Sequence, residues 1–227
     1  MIIKKNKNNI AIKAIILAGG KSSRIGQNMN KARIKLFNKS LIEWVILRLT
    51  SIENLSEEDI IIVGPKEKYP QFKHVVEDIF PQKGPLGGIF SGLKASTSQY
   101  NLVVGCDMPL LEAELLQYMR EKIDSNDIVI PKYNGCYIEP LCAIYSKKCL
   151  KVMEKNIQSD VLSVRKIFSH LKIKFINDNE IQRFDPEFYS FFNVNFESDF
   201  KKAEEIIKKK RDLIINENEK RKKNKFS

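Results

Sequence analysis

The sequence predicts an α/β protein in which a mostly parallel sheet carries helices on both faces. Three observations predict it. Short, unbroken apolar runs recur at residues 14–18, 60–63 and 102–104, and a run of that kind reads as a strand buried on both faces. Each run stops at a glycine-led turn: Gly19-Gly20, Gly64-Pro65 and Gly105-Cys106-Asp107. Between the runs lie stretches with helical spacing, and strands alternating with helices build βαβ units.

Taken in order, residues 14–18 form the first strand. Residues 19–33 follow as a polar, basic loop, too long for a tight turn and of a length that compact domains keep for function. Ser40 caps a helix over 41–50, apolar at 41, 42, 45, 46 and 49. A strand at 60–63 and a short one at 75–76 come next. Gly84-Pro85-Leu86-Gly87-Gly88 opens a helix over 87–96, residues 102–104 form a strand, Pro109 starts a helix over 112–123, and 127–131 is a strand. Beyond 131 the pattern is less regular. Strands are predicted at 141–145, 173–176 and 191–194, an amphipathic helix at 161–171, and a helix from 198 to about 215.

Hydrophobic residues make up 43% and charged residues 30% of the 227 positions, which excludes global disorder, a collagen and a disulfide scaffold. No apolar run approaches the roughly 18–20 residues of a spanning helix, so no membrane partner is expected. The opening MIIKKNKNNIAIK lacks the cleavage pattern of a secretory signal, which predicts a cytoplasmic protein with reduced thiols. Cys106, Cys136, Cys142 and Cys149 include no C-x-x-C pair, and His74 and His170 lie far from them, against a zinc site. The net charge of +11 is concentrated at the ends: residues 1–11 carry +3 and residues 201–227 carry +6. The body is nearly balanced, which argues against a nucleic-acid partner. The domain reading is a loose basic segment at 1–11, a single domain at 12–207, and a basic helical or disordered tail at 208–227.

In open α/β sheets ligands sit beyond the carboxyl ends of the strands. The loop after the first strand, Leu17-Ala18-Gly19-Gly20-Lys21-Ser22-Ser23-Arg24-Ile25-Gly26, has glycines that let main-chain N–H groups converge on an anion, and Arg24 and Lys31 to neutralise phosphate. A P-loop is excluded because Ile15 stands where its first glycine is needed, and a dinucleotide fingerprint because Lys21 replaces its second glycine. The loop also reads as a plain turn with solvated cations. Asp107, after a buried strand, suits Mg²⁺ or the cap of the next helix. Asp78 carries the same two readings. Residues 84–88 suit a helix start against a ring or phosphate, or close helix–sheet packing.

Together these residues resemble the molybdenum cofactor guanylyltransferase (MobA-like) nucleotidyltransferase family. The resemblance rests on Leu17-Ala18-Gly19-Gly20-x-Ser22-x-Arg24-x-Gly26 with Lys31, Val76-Glu77-Asp78, Gly84-Pro85-Leu86-Gly87-Gly88, Cys106-Asp107-Met108-Pro109, Glu139-Pro140-Leu141 and Asn193-Val194-Asn195, in that order over about residues 12–207. It implies a Rossmann-like three-layer α/β/α sandwich of nucleotidyltransferase type. It also implies transfer of GMP from GTP to the phosphate of molybdopterin carrying molybdenum, with Mg²⁺ as cofactor. Leu17, Ala18, Gly19, Gly20, Lys31, Asp78, Gly84, Gly88 and Asp107 would then contact GTP. Asp107 would hold the metal, and Arg24, Lys31 and Asp107 would be catalytic. Glu139, Pro140, Asn193 and Asn195 would border the acceptor. Molybdenum-cofactor delivery proteins or recipient apo-enzymes are further implied partners. Asn30-Lys31 departs from the family's Asp-Lys, Ile25 replaces Met, and Gly64 stands where some members place a nucleotide-touching Asn. Leu-Ala-Gly-Gly goes with guanine in the family and Leu-Ala-Ala-Gly with cytosine. The alternatives are a cytidylyltransferase for the same cofactor, another nucleotidyltransferase of the fold, or a non-enzymatic nucleotide- or RNA-binding module.

Overall fold

The computed structural model describes residues 10–19 and 35–223. In chain order the elements are β1 (Ile12–Leu17), β2 (Lys35–Leu36), β3 (Lys39–Ser40), α1 (Leu41–Leu49), β4 (Ile60–Val63), β5 (Val75–Val76), α2 (Gly84–Ala95), β6 (Tyr100–Gly105), α3 (Ala113–Glu121), β7 (Ile128–Tyr133), β8 (Tyr137–Ile138), β9 (Cys142–Ser146), α4 (Cys149–Gln158), β10 (Ile173–Ile176), α5 (Asp178–Gln182) and α6 (Glu197–Lys223).

The main sheet runs β10-β7-β9-β6-β1-β4-β5, with β8 paired to β7. Neighbours are parallel except at β9, which lies antiparallel between β6 and β7, and at β8. Six strands therefore end at one crest, and β9 begins there. The three layers follow from alternation along each strand. In β1, Ala14 and Ile16 face Val45 and Leu49 of α1 and Leu115 and Met119 of α3. Ile15 faces the other way, toward Leu86, Ile89 and Leu93 of α2 and Met153 of α4. A third cluster seats Phe200, Ala203 and Ile207 of α6 on Leu36, Leu41 and Val194. No helix among the described residues is long and apolar enough to cross a membrane.

Local signals explain most elements. Ser40 and Glu43 form a capping box at the start of α1. Phe37 and Asn38, both at positive φ, turn β2 into β3. Gly92 permits α2 to lie on β1, since a Cβ there would stand 2.5 Å from Ile15 Cγ2.

Several expectations are corrected. Residues 161–171 are not an α-helix: Val164–His170 is 3-10 helical and buries Val164 and Ile167, a three-residue spacing that fits three residues per turn. Residues 191–194 are not a strand, because Tyr189–Phe191 makes a 3-10 turn entered through Phe188 at φ 56°. Helix α2 begins at Gly84 rather than 87, and α6 continues past 215 to Lys223. Helix α4 is an addition; it buries Cys149, Met153 and Ile157, a stripe too narrow and weakly apolar to stand out. Among the described residues no disulfide forms.

Candidate active site

The crest is levelled by main-chain hydrogen bonds. Ala18 N–H donates to the Val63 carbonyl at 2.8 Å, Cys106 N–H to Leu17 at 3.1 Å and Gly64 N–H to Val76 at 2.9 Å. The ends of β1, β4, β5 and β6 thus stand side by side. Leu17, Ala18 and Gly19 occupy the centre of this row. Gly64 backs onto it, and a Cβ there would come 3.2 Å from Ala18 carbonyl atoms.

Helix α2 brings its first turn over the same row. Gly84 takes φ +62°, which suits glycine, and a Cβ on Gly88 would stand 3.4 Å from Leu17 methyls. The helix has no side-chain cap and no acid in its first turn, so its positive end faces the crest uncompensated by either. Asp78 fixes this turn. Its Oδ1 accepts from Phe80 N–H at 3.1 Å and lies 2.8 Å from the Ser91 hydroxyl. That hydroxyl also accepts from Ile79 N–H at 2.9 Å. Asp78 therefore ties the β5–α2 loop to α2, a task the sequence did not disclose.

Asp107 leaves the end of β6 and folds its carboxylate over Gly105, where a Cβ would meet Oδ1 at 2.7 Å. Two further predicted segments converge on it. Val194 N–H donates to the Asp107 carbonyl at 2.8 Å, which sets Asn193 and Asn195 on either side of that tie. Because β9 is antiparallel, its first turn lies at the crest, and Gly105 N–H donates to the Leu141 carbonyl at 3.1 Å. Glu139 is thereby held beside Asp107. Its Oε1 accepts from Leu141 N–H at 3.1 Å. Burial pushes the Glu139 carboxyl up, the Asp107 charge adds to this, and the Leu141 N–H opposes it. Pro140 offers its carbonyl to the Tyr145 hydroxyl at 3.0 Å, which pins the turn from below.

Gly20, Arg24 and Lys31, with the rest of the glycine loop through residue 34, lie outside the described residues. Of the predicted set that is described, Leu17, Ala18, Gly19, Gly84, Gly88, Asp78, Asp107, Glu139, Pro140, Asn193 and Asn195 all belong to this crest. Sequence reasoning missed Tyr69. Its hydroxyl donates to the Ala18 carbonyl at 3.2 Å, and burial, with Cys106 adding, pushes its phenol up to about 12, so it remains a donor at neutral pH. A tyrosine shortly after Gly64-Pro65 could have been flagged, since a buried phenol needs a partner. A concavity of about 490 Å³ lies elsewhere, between Glu53, Gln117, Tyr118 and Arg183. It gathers none of the predicted residues; convergent main-chain groups and carboxylates mark the crest instead.

Among the described residues no three His, Cys, Asp or Glu side chains cluster as a metal centre. One or two carboxylates with substrate phosphates and water suit Mg²⁺, a hard ion that keeps part of its hydration. The donor set around Asp107 fits that pattern.

A parallel crest with glycine-led strand ends, an uncapped helix start and an acid on the adjacent strand suits an anionic nucleotide, the substrate class of a nucleotidyltransferase. Comparison with known proteins agrees. The profile of the MobA-like NTP transferase domain matches residues 14–174, and the chain belongs to that family. A molybdenum cofactor guanylyltransferase from Desulfosudis oleivorans is 31% identical over 87% of this chain and 96% of its own length. A probable molybdenum cofactor guanylyltransferase from Clostridium perfringens is 36% identical over the same shares. The crystal structure of molybdopterin-guanine dinucleotide biosynthesis protein A from Archaeoglobus fulgidus superposes with a TM-score of 0.72 at 28% identity, covering 87% of this chain and all of that one.

Proposed function

We propose that this chain transfers GMP from GTP to the terminal phosphate of molybdopterin, producing the guanine dinucleotide form and pyrophosphate. What carries the reading is the near full-length match to relatives bearing that activity in their names. The grouping of nucleotide-side and acceptor-side residues around Asp107 supports it.

In this reading residues 12–207 are the transferase domain of a cytoplasmic protein. Main-chain groups of Leu17, Ala18, Gly19 and Gly20 hold GTP, and Gly84 and Gly88 let the nucleotide lie against the positive end of α2. Asp78 keeps that turn in place. Arg24 and Lys31 offset phosphate charge. Asp107 would hold Mg²⁺, which when bound supplies charge against the repulsion between triphosphate and acceptor phosphate. Glu139, Pro140, Asn193 and Asn195 align the acceptor. An acceptor phosphate oxygen bonds to the α-phosphorus as the bond to pyrophosphate breaks. That oxygen is already anionic, so no general base is required, in keeping with a crest that contains no histidine among its described residues. Delivery proteins or recipient apo-enzymes would take up the product.

Pyrophosphate release with Mg²⁺ and molybdopterin tests the reading. GTP is expected to support release and CTP much less. Preference for CTP would overturn the guanine assignment, and no release with either would overturn the transferase reading.

A further inference from the structure

The β7–β8 hairpin stands over the acceptor side of the crest. Its tip, residues 134–136, is exposed, yet it is braced from both flanks. Asn134 N–H donates to Asp178 Oδ1 at 2.9 Å, and Arg165 Nη2 donates to the Cys136 carbonyl at 3.2 Å. Tyr137 follows this tip and is 60% exposed, an unusual amount for an aromatic ring on so well-held a segment. Residues two apart on a strand face the same way. Glu139 N–H donates to the Pro131 carbonyl at 3.3 Å, which carries the β7–β8 pairing one residue past Ile138, so Tyr137 shares a face with Glu139, whose carboxyl feels Asp107.

The ring is the outermost of a ladder. Tyr137 and Tyr133 lie 6.2 Å apart between centroids, and Tyr133 stacks on Phe191 at 4.6 Å and 13°. The Phe191 carbonyl in turn accepts from Asn193 Nδ2 at 3.3 Å. An exposed ring, rigidly presented and continuous with Glu139 and Asn193, suits a flat heterocycle that arrives with its phosphate toward Asp107. The nucleotide side is different: Ile138, on the opposite face of β8, packs against the same buried cluster as Leu17, Val76 and Phe80.

We propose that Tyr137 stacks on the flat pyrimidine ring of the acceptor's pterin and so determines which acceptors are taken. The inference rests on the guanylyltransferase reading above. Steady-state kinetics with GTP and molybdopterin varied separately test it. Tyr137→Ala is expected to raise the acceptor KM about tenfold, as loss of one aromatic stack does. The GTP KM and the melting temperature should stay at wild-type values, and Tyr137→Phe should restore the acceptor KM. An unchanged acceptor KM in an active Tyr137→Ala enzyme overturns the stacking role alone. An equal rise in both KM values does the same, as does failure of Tyr137→Phe to restore binding. Wild-type protein that moves no nucleotide onto molybdopterin overturns the functional reading and takes this inference with it.

Discussion

Strands β4, β1 and β6 reach the crest at glycines and present main-chain groups there, whereas β7, β9 and the segment before α6 reach it with side chains. In the first region Gly64 brings backbone against backbone and Gly92 helix against strand, and an added Cβ would crowd Ala18 at the one and collide with Ile15 at the other. In the second, Glu139, Asn193 and Tyr137 project from turns pinned by Leu141, Phe191 and Arg165. The difference teaches how one crest can serve two anionic substrates. On the function proposed above, a triphosphate common to many enzymes would be gripped by geometry that tolerates little substitution, and an unusual acceptor by side chains that can vary.

Asp107 stands on the boundary, so its loss should be the most damaging. Asp107→Ala is expected to lower turnover by about 10²–10³-fold, with the circular dichroism spectrum unchanged; near wild-type turnover would remove the boundary altogether. Next comes the packing of the parallel region. Gly92→Ala drives a methyl into Ile15 and should cost roughly 1–3 kcal/mol in urea unfolding. A neutral result would show that α2 can lift off β1 freely.

Asn193→Ala sharpens the division between the two substrates. Its acceptor KM should rise several-fold, in line with roughly 1 kcal/mol for a lost hydrogen bond, while the GTP KM stays constant. The reverse pattern would exchange the two sides. Tyr69→Phe probes the other side: the Ala18 carbonyl loses its donor, and a two- to threefold rise in GTP KM is expected at roughly 0.5 kcal/mol.

The smallest effect lies away from the crest, at Glu180. Burial works to raise its carboxyl, but the Asn177 N–H, the Tyr118 hydroxyl and Lys174 outweigh this and hold it below its ordinary 4.5. A folded-state value below the unfolded one contributes stability above about pH 4.5, which is lost as pH falls through the folded value. Glu180→Gln should therefore flatten the acid limb of unfolding free energy against pH, measured by urea titration, by less than about 1 kcal/mol.

The parallel region was legible in the sequence. Apolar runs stopped by glycine mark strands whose ends carry ligands, and β1, β4 and β6 appear where residues 14–18, 60–63 and 102–104 predict them. Ser40 announced α1 through its capping box. The region after 131 was read less well. Phe191-Phe192-Asn193-Val194 has the composition of a strand, but the turn through Phe188 at positive φ redirects it onto Asp107. The motifs there were visible as residues; their placement was not.

Local residue chemistry therefore determined the strand–helix alternation, the glycine bends and the identity of the acids, because each depends on neighbours within a few positions. Only the tertiary structure decided that β9 runs antiparallel between β6 and β7, bringing Glu139 to the crest beside Asp107. It alone joined Tyr69 to Ala18 and Val194 to Asp107, contacts between residues far apart in the chain. The physical reason is that an apolar run states how deeply a strand is buried but leaves its direction and its neighbours open; those are chosen by hydrogen-bond pairing and packing across the whole domain.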